Sequence, residues 1–179
     1  MNNLKKDTYN RSDIEASLKK EFPSLHIKKI RSGKKVYDWK VPFEWNIKNA
    51  YVIDKFGNKI IDFKKNNLHV MGYSSPVKRA FKKEDLLKKL YSLPNQPRAI
   101  PYTTSYYKRN WGFCISHNQK KEIKKKYKKN DIFKVVILSS FNKNGYLNYG
   151  ELLLRGKTNK EILISTNICH PLMANNELS

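Results

Sequence analysis

A chain of 179 residues with 39% apolar residues and a formal charge of +22 has room for one substantial core, or a small domain and part of another. Aromatics at 12% argue against wholesale disorder, and no apolar run approaches the roughly 18 residues needed to cross a bilayer. Two cysteines, Cys114 and Cys169, exclude a disulfide framework, and residues 1–10 lack the apolar stretch of a secretory signal, so the expected compartment is the cytoplasm.

In chain order, Ser12 followed by Glu15 forms a capping box that opens a helix, with Ile14, Leu18 and Phe22 on one stripe and Pro23 as its stop. His26 to Arg31 and Lys34 to Val41 alternate as strands around a Ser32-Gly33 turn. Ala50 to Asp54 and Lys59 to Phe63 flank Phe56-Gly57-Asn58 as a hairpin, and Leu68 to Tyr73 reads as a further short strand. Lys83 to Leu90 predicts a short helix, and Pro94, Pro97 and Pro101 mark a loop-rich connection. After the apolar stretch Trp111 to Ile115, a lysine-rich helix from about Gln119 to Lys129 buries only Ile123 and Tyr127. Phe133 to Leu138 is an apolar strand, Asn144-Gly145 a turn, and Leu147 to Leu154 its expected hairpin partner. Ile162 to Ser165 reads as a strand buried on both faces that delivers a loop containing Cys169, His170, Asn175, Asn176 and Glu177.

The charge raises the question of nucleic acid. Lysine outnumbers arginine several-fold and is spread along the whole chain, whereas a phosphate-reading surface gathers its cations and favours arginine. A solvated lysine surface is the better reading. Tyr102, Tyr106, Tyr107 and Trp111, interleaved with Lys108 and Arg109, could stack on bases or on sugar rings, or pack the middle domain; packing is the preferred expectation. Trp39 and Trp45 read as core residues near a domain junction. Cys114 and His117 are three apart, but no second pair stands at zinc-finger spacing, so a buried cysteine is expected there. On spacing alone, a lone loop histidine such as His170 is a weak metal signal.

Five separated stretches, DWKVPFEWNIKNAYVID, FKKNNLHVMGYSSPV, LYSLPNQPRAIPYTTSYYKRNWGFCISH, GYLNYGELLLRG and ILISTNICHPLMANNELS, resemble in order and spacing the bacterial aminopeptidase-like proteins associated with polysaccharide biosynthesis. These are related to two-zinc aminopeptidases. The resemblance implies an α+β chain: a zinc-aminopeptidase-like α/β domain, incomplete here, interrupted by a β-rich, lid-like or jelly-roll-like insertion. Residues 1–45 would begin the peptidase-like domain, 46–145 would form the insertion and 146–179 would return to the peptidase-like sheet. In such relatives the final loop reads CHPSMANDNLSG, so by position His170 inherits a zinc-ligand role and Asn176 falls where an aspartate bridges the metals. An amide offers one neutral oxygen where a carboxylate offers two anionic ones to cations about 3.5–4 Å apart. Glu177, one residue on, is the substitute to consider, and Leu172 replaces a small polar residue.

The remaining ligands and the general base of the relatives lie beyond Ser179. The expectation is therefore a truncated metallopeptidase-like hydrolase with no catalytic residue of its own, inactive alone and of doubtful zinc binding. A downstream chain would complete the site. No membrane partner is expected. The alternatives are a basic module for nucleic acid or another polyanion, and carbohydrate binding by the inserted domain.

Overall fold

The computed structural model describes residues 11–106 and 108–166, with the backbone alone at 11–14. It is a mixed α and β chain that separates into two units, one formed by Met1–Arg31 with Tyr146–Ser179, the other by Ser32–Gly145.

In the first unit, helix α1 (Arg11–Glu21) ends against Pro23, and strand β1 (His26–Arg31) follows. The partner of β1 is far along the chain. Residues 146–151 pair with it antiparallel, His26 opposite Glu151 and Arg31 opposite Tyr146. Lys28 and Glu151 form an ion pair across this ribbon, and Asn148 donates to the Glu15 carboxylate of α1. Residues 152–166 form no strand, and Ile162, Leu163 and Ile164 are about nine-tenths exposed. This corrects the reading of a strand buried on both faces. Such a strand needs neighbours along its edges and layers over both faces, and the described residues supply neither.

The second unit opens with a turn in which Gly33 takes a φ of 84°, followed by a small ribbon of β2 (Lys35–Val36) and β3 (Trp39–Lys40). Strand β4 (Glu44–Ile53) then makes a hairpin with β5 (Lys59–Asp62). Where another strand was expected after Asn66, the chain makes one 3-10 turn, Asn67–His69, because the Asn66 side chain accepts from the Leu68 N–H and caps it. Strand β6 (Val77–Lys82), unmarked by strong alternation, leads into a five-residue helix α2 (Lys83–Leu87). Strand β7 (Leu90–Tyr91) pairs in parallel with β8 (Phe113–Cys114). Helix α3 (His117–Lys126) is capped by Ser116, whose hydroxyl accepts from the Gln119 N–H. Strand β9 (Ile132–Asn142) closes the main sheet, and Tyr146–Glu151 is β10.

The main sheet runs β5-β4-β9-β6, antiparallel throughout. With both edges of β9 taken by β4 and β6, β10 pairs with β1 instead of forming the expected hairpin with β9. Lys48 is an extra residue in β4 between the pairs Ile47–Ser139 and Asn49–Leu138. That bulge shifts the side-chain phase by one. Trp45 and Ile47 before it, and Ala50 and Val52 after it, can therefore serve one core. They meet Phe133, Val135 and Ile137 of β9, Leu86, Leu90 and Phe113, and the two α3-region residues Ile123 and Tyr127. The middle unit thus centres on this four-stranded sheet, with the short β2-β3 and β7-β8 pairs beside it and residues of α2 and α3 in its core. Its ends adjoin, since the Ser32 N–H donates to the Gly145 carbonyl at 2.9 Å. Gly145 lies so close to Glu44 that a Cβ there would stand 2.5 Å from the Glu44 Cβ. Among the described residues no helix is long and apolar enough to cross a membrane.

Candidate functional site

The loop residues Cys169, His170, Asn176 and Glu177 lie outside the described residues. Among the described residues no three His, Cys, Asp or Glu side chains are grouped to hold a metal ion. The donor set a zinc ion requires is therefore not met there.

Cys114 and His117 are employed separately. Cys114 is buried in β8, and burial pushes its thiol up against a smaller opposing effect of hydrogen bonding to Thr103. A thiol held protonated is a poor nucleophile. His117 opens α3 with Nδ1 3.1 Å from the Ser92 hydroxyl. His69 Nδ1 lies 2.8 Å from the Cys114 carbonyl, which can only accept, so that nitrogen carries the proton.

The aromatic cluster divides. Trp111 packs on the core, 4.9 Å from the Phe81 ring, with the Lys89 ammonium 5.5 Å from its own ring. Tyr107 is outside the described residues, and Tyr102 is exposed. Tyr106 joins a different group, 4.5 Å from Tyr73, which stacks on Trp45 at 5.9 Å and 16°. Trp45 thus packs as expected, whereas Trp39 is 41% exposed.

Around Tyr73 lies a cleft of about 280 Å³. The end of β3 supplies Lys40 and the link to β4 supplies Phe43, the end of β9 and its turn supply Phe141 and Lys143, and the loop before β8 supplies Tyr106, Lys108 and Arg109. Its lining among the described residues contains four cations and no carboxylate. The floor is firmly held. Tyr73 adopts a φ of 61°, a conformation costing a non-glycine residue on the order of 1–3 kcal/mol. Its neighbours compensate: the Gly72 N–H donates to Thr103 O at 2.8 Å, and the Ser105 N–H returns to Gly72 O at 2.9 Å. Ser74, fully buried, donates to Met71 O at 2.6 Å and accepts the Gly112 N–H at 3.2 Å. Its carbonyl receives both Trp45 Nε1 at 2.9 Å and the Ser139 hydroxyl at 2.7 Å. Sequence reasoning found Tyr106, Lys108 and Arg109 but not Tyr73, Phe43 or Phe141, because these converge only through strand pairing across β4 and β9.

A family model described as a domain of unknown function, DUF2172, covers residues 44–140, and the chain belongs to that family. The chain is also 48% identical, over 162 residues, to a Clostridium acetobutylicum protein named "Putative polysaccharide biosynthesis protein with aminopeptidase-like domain". That likeness covers 90% of this chain and 36% of the relative. A crystal structure described as a "putative peptidase" from Clostridium acetobutylicum matches with a TM-score of 0.70 and 44% identity, covering 83% of this chain and 33% of that one. The chain thus spans about a third of the length of these relatives.

Proposed function

We infer that this chain is part of an aminopeptidase-like protein whose reaction class is metal-dependent hydrolysis of peptide or amide bonds. Ser32–Gly145 is then a non-catalytic module inserted into the hydrolase domain. The observation that carries the reading is the 48% identity over 162 residues with a protein named for its aminopeptidase-like domain. The likeness to the peptidase crystal structure, at a TM-score of 0.70, supports it. The insertion is supported by the adjoining ends of this unit at Ser32 and Gly145, since domains whose ends adjoin are readily inserted into others.

On this reading the segments flanking the module belong to the hydrolase. His170 is the zinc ligand these residues offer, Asn176 occupies the bridging position with a neutral amide, and Glu177 is the nearest carboxylate. One histidine does not make a catalytic zinc site, which takes three protein ligands and an open position. No hydrolytic step is therefore assigned to these residues. The exposed run Ile162, Leu163 and Ile164, with Leu153 and Leu154, is the surface on which the rest of the hydrolase, in the same or a separate chain, would pack. The cytoplasm is the proposed compartment.

Calorimetric zinc titration of the chain and of His170→Ala, beside hydrolysis of aminoacyl nitroanilides, tests the division of labour. Neither tight stoichiometric zinc nor turnover is expected from these residues alone. Zinc-dependent turnover that disappears in His170→Ala would refute it. Absence of any peptidase or amidase activity from the full-length Clostridium relative with zinc would refute the reaction class itself.

A further inference from the structure

The cleft around Tyr73 has the makings of a ligand site that the hydrolase reading does not use. Tyr106, Phe43 and Phe141 present exposed ring surface, 49%, 37% and 37% accessible, where Lys108, Arg109 and Lys143 bring positive charge. Rings and cations meet over the left-handed backbone of Tyr73, whose neighbour Ser74 is held through its carbonyl by Trp45 and Ser139. A strained residue held in place by its surroundings is characteristic of ligand clamps.

We propose that this cleft binds a single sugar ring bearing an anionic group, a carboxylate or a phosphate. Size comes first. About 280 Å³ is at the small end of ligand pockets, which run from roughly 300 to 1,000 Å³, so one ring with its substituent fits and an extended strand does not. Single-stranded nucleic acid needs a groove that tracks about four or more nucleotides. Ring geometry comes second. Tyr73 meets Tyr106 at 45° and Phe141 at 46°, so the aromatic planes diverge. A flat base stacks best between parallel planes, whereas a puckered sugar directs C–H groups both axially and equatorially and can lie against tilted faces. Charge comes third. The Arg109 guanidinium presents a donor fork matched to carboxylate or phosphate, and the lysines add charge without fixing direction. The Ser105 hydroxyl is committed to the Lys108 carbonyl at 2.7 Å, which fixes the backbone of the loop carrying both cations.

The test uses the full chain and titrates methyl glucuronide, methyl glucoside phosphate, neutral methyl glucoside and AMP, followed by NMR. Both anionic sugars should saturate in the millimolar range or below, at least about tenfold more tightly than the neutral sugar. Arg109→Ala should weaken the anionic sugars by about tenfold and leave the neutral one unchanged. Tyr106→Ala should weaken all three sugars, and Tyr106→Phe should restore them. Both side chains are on the surface, and an unchanged melting curve verifies that the variants fold. AMP binding more tightly than either anionic sugar would overturn the assignment in favour of a base platform. Equal affinity for charged and neutral sugars, indifference to Arg109→Ala, or no saturation by either anionic sugar would overturn it outright.

Discussion

The phenol of Tyr127 and the carboxylate of Asp54 meet at 2.8 Å inside the middle unit, where the two residues are 4% and 5% exposed. Asp54 follows β4 and organises the turn to β5: its Oδ1 accepts the Phe56 and Asn58 N–H groups at 2.9 and 2.8 Å, and Oδ2 accepts from Tyr127 and the Asn58 amide. Burial pushes the carboxyl up, yet the hydrogen bonds from Tyr127, Asn58 and Phe56 together hold it below its ordinary value. Burial and then the Asp54 partner push Tyr127 up to about 12. Tyr127→Phe keeps the ring, including its edge contact with Phe133 at 4.9 Å, and deletes this bond alone. A hydrogen bond to a charged group contributes roughly 1.5–3 kcal/mol. Burial is the larger cause of the rise of Tyr127 from 10 to about 12, so only a part of that rise belongs to this bond and the whole of it is not read as the bond's energy.

The sign of the pH dependence follows. Asp54, lowered in the folded state, contributes stability that is present above its unfolded pKa of about 4 and lost as pH falls through the folded value. Tyr127, raised, contributes stability that is full below about 10 and lost as pH climbs through about 12. Urea unfolding of both proteins across pH should therefore show the variant about 2 kcal/mol less stable at neutrality. The gap should narrow below about pH 4 and again above about pH 10. A gap under about 0.5 kcal/mol at neutral pH, or one independent of pH, would refute the reasoning.

Two further predictions concern the same unit. Gly112→Ala would bring a Cβ within 2.4 Å of the Tyr91 ring and 2.9 Å of the Lys89 backbone carbonyl; the ring can turn but the carbonyl cannot easily retreat. Thermal melting should fall by several degrees, a cost on the order of 1–3 kcal/mol, and an unchanged melt would contradict the packing described. The Cys114 thiol, 1% exposed and pushed up by burial, should react with Ellman's reagent only as fast as the unit opens. Because Cys169 supplies a second thiol, the measurement is made on Cys169→Ser, and prompt labelling without denaturant would refute it.

Much of the middle unit was legible in the sequence because its rules are local. The β4–β5 hairpin follows from a turn at Gly57, whose φ of 86° suits glycine, and the α3 contacts follow from Ile123 and Tyr127 at four-residue spacing. β6 was missed because its sequence, VKRAFK, gives a strand only one half-buried residue near each end, so its position is set by hydrogen bonding to β9 and not by a pattern. The pairing of β10 was misassigned for a related reason. Alternation identifies a strand but not its partner, and the partner was decided by which edges β4 and β6 had already filled.

The two candidate sites fared differently for a physical reason of the same kind. The His170 loop was visible because its residues are contiguous, and resemblance could carry roles onto them one by one. The cleft was only half visible. Lys108 and Arg109 adjoin Tyr106 in sequence, but Tyr73 stands over thirty positions away and Phe141 as far again on the other side. What joins them is the bulge at Lys48, which keeps Trp45 on the core side, where its indole can hold the Ser74 carbonyl beneath Tyr73. A site assembled by a register shift leaves no periodic trace, whereas its cost does show: a tyrosine in a left-handed conformation, tolerated because the hydrogen bonds around Gly72 and Ser74 hold it there.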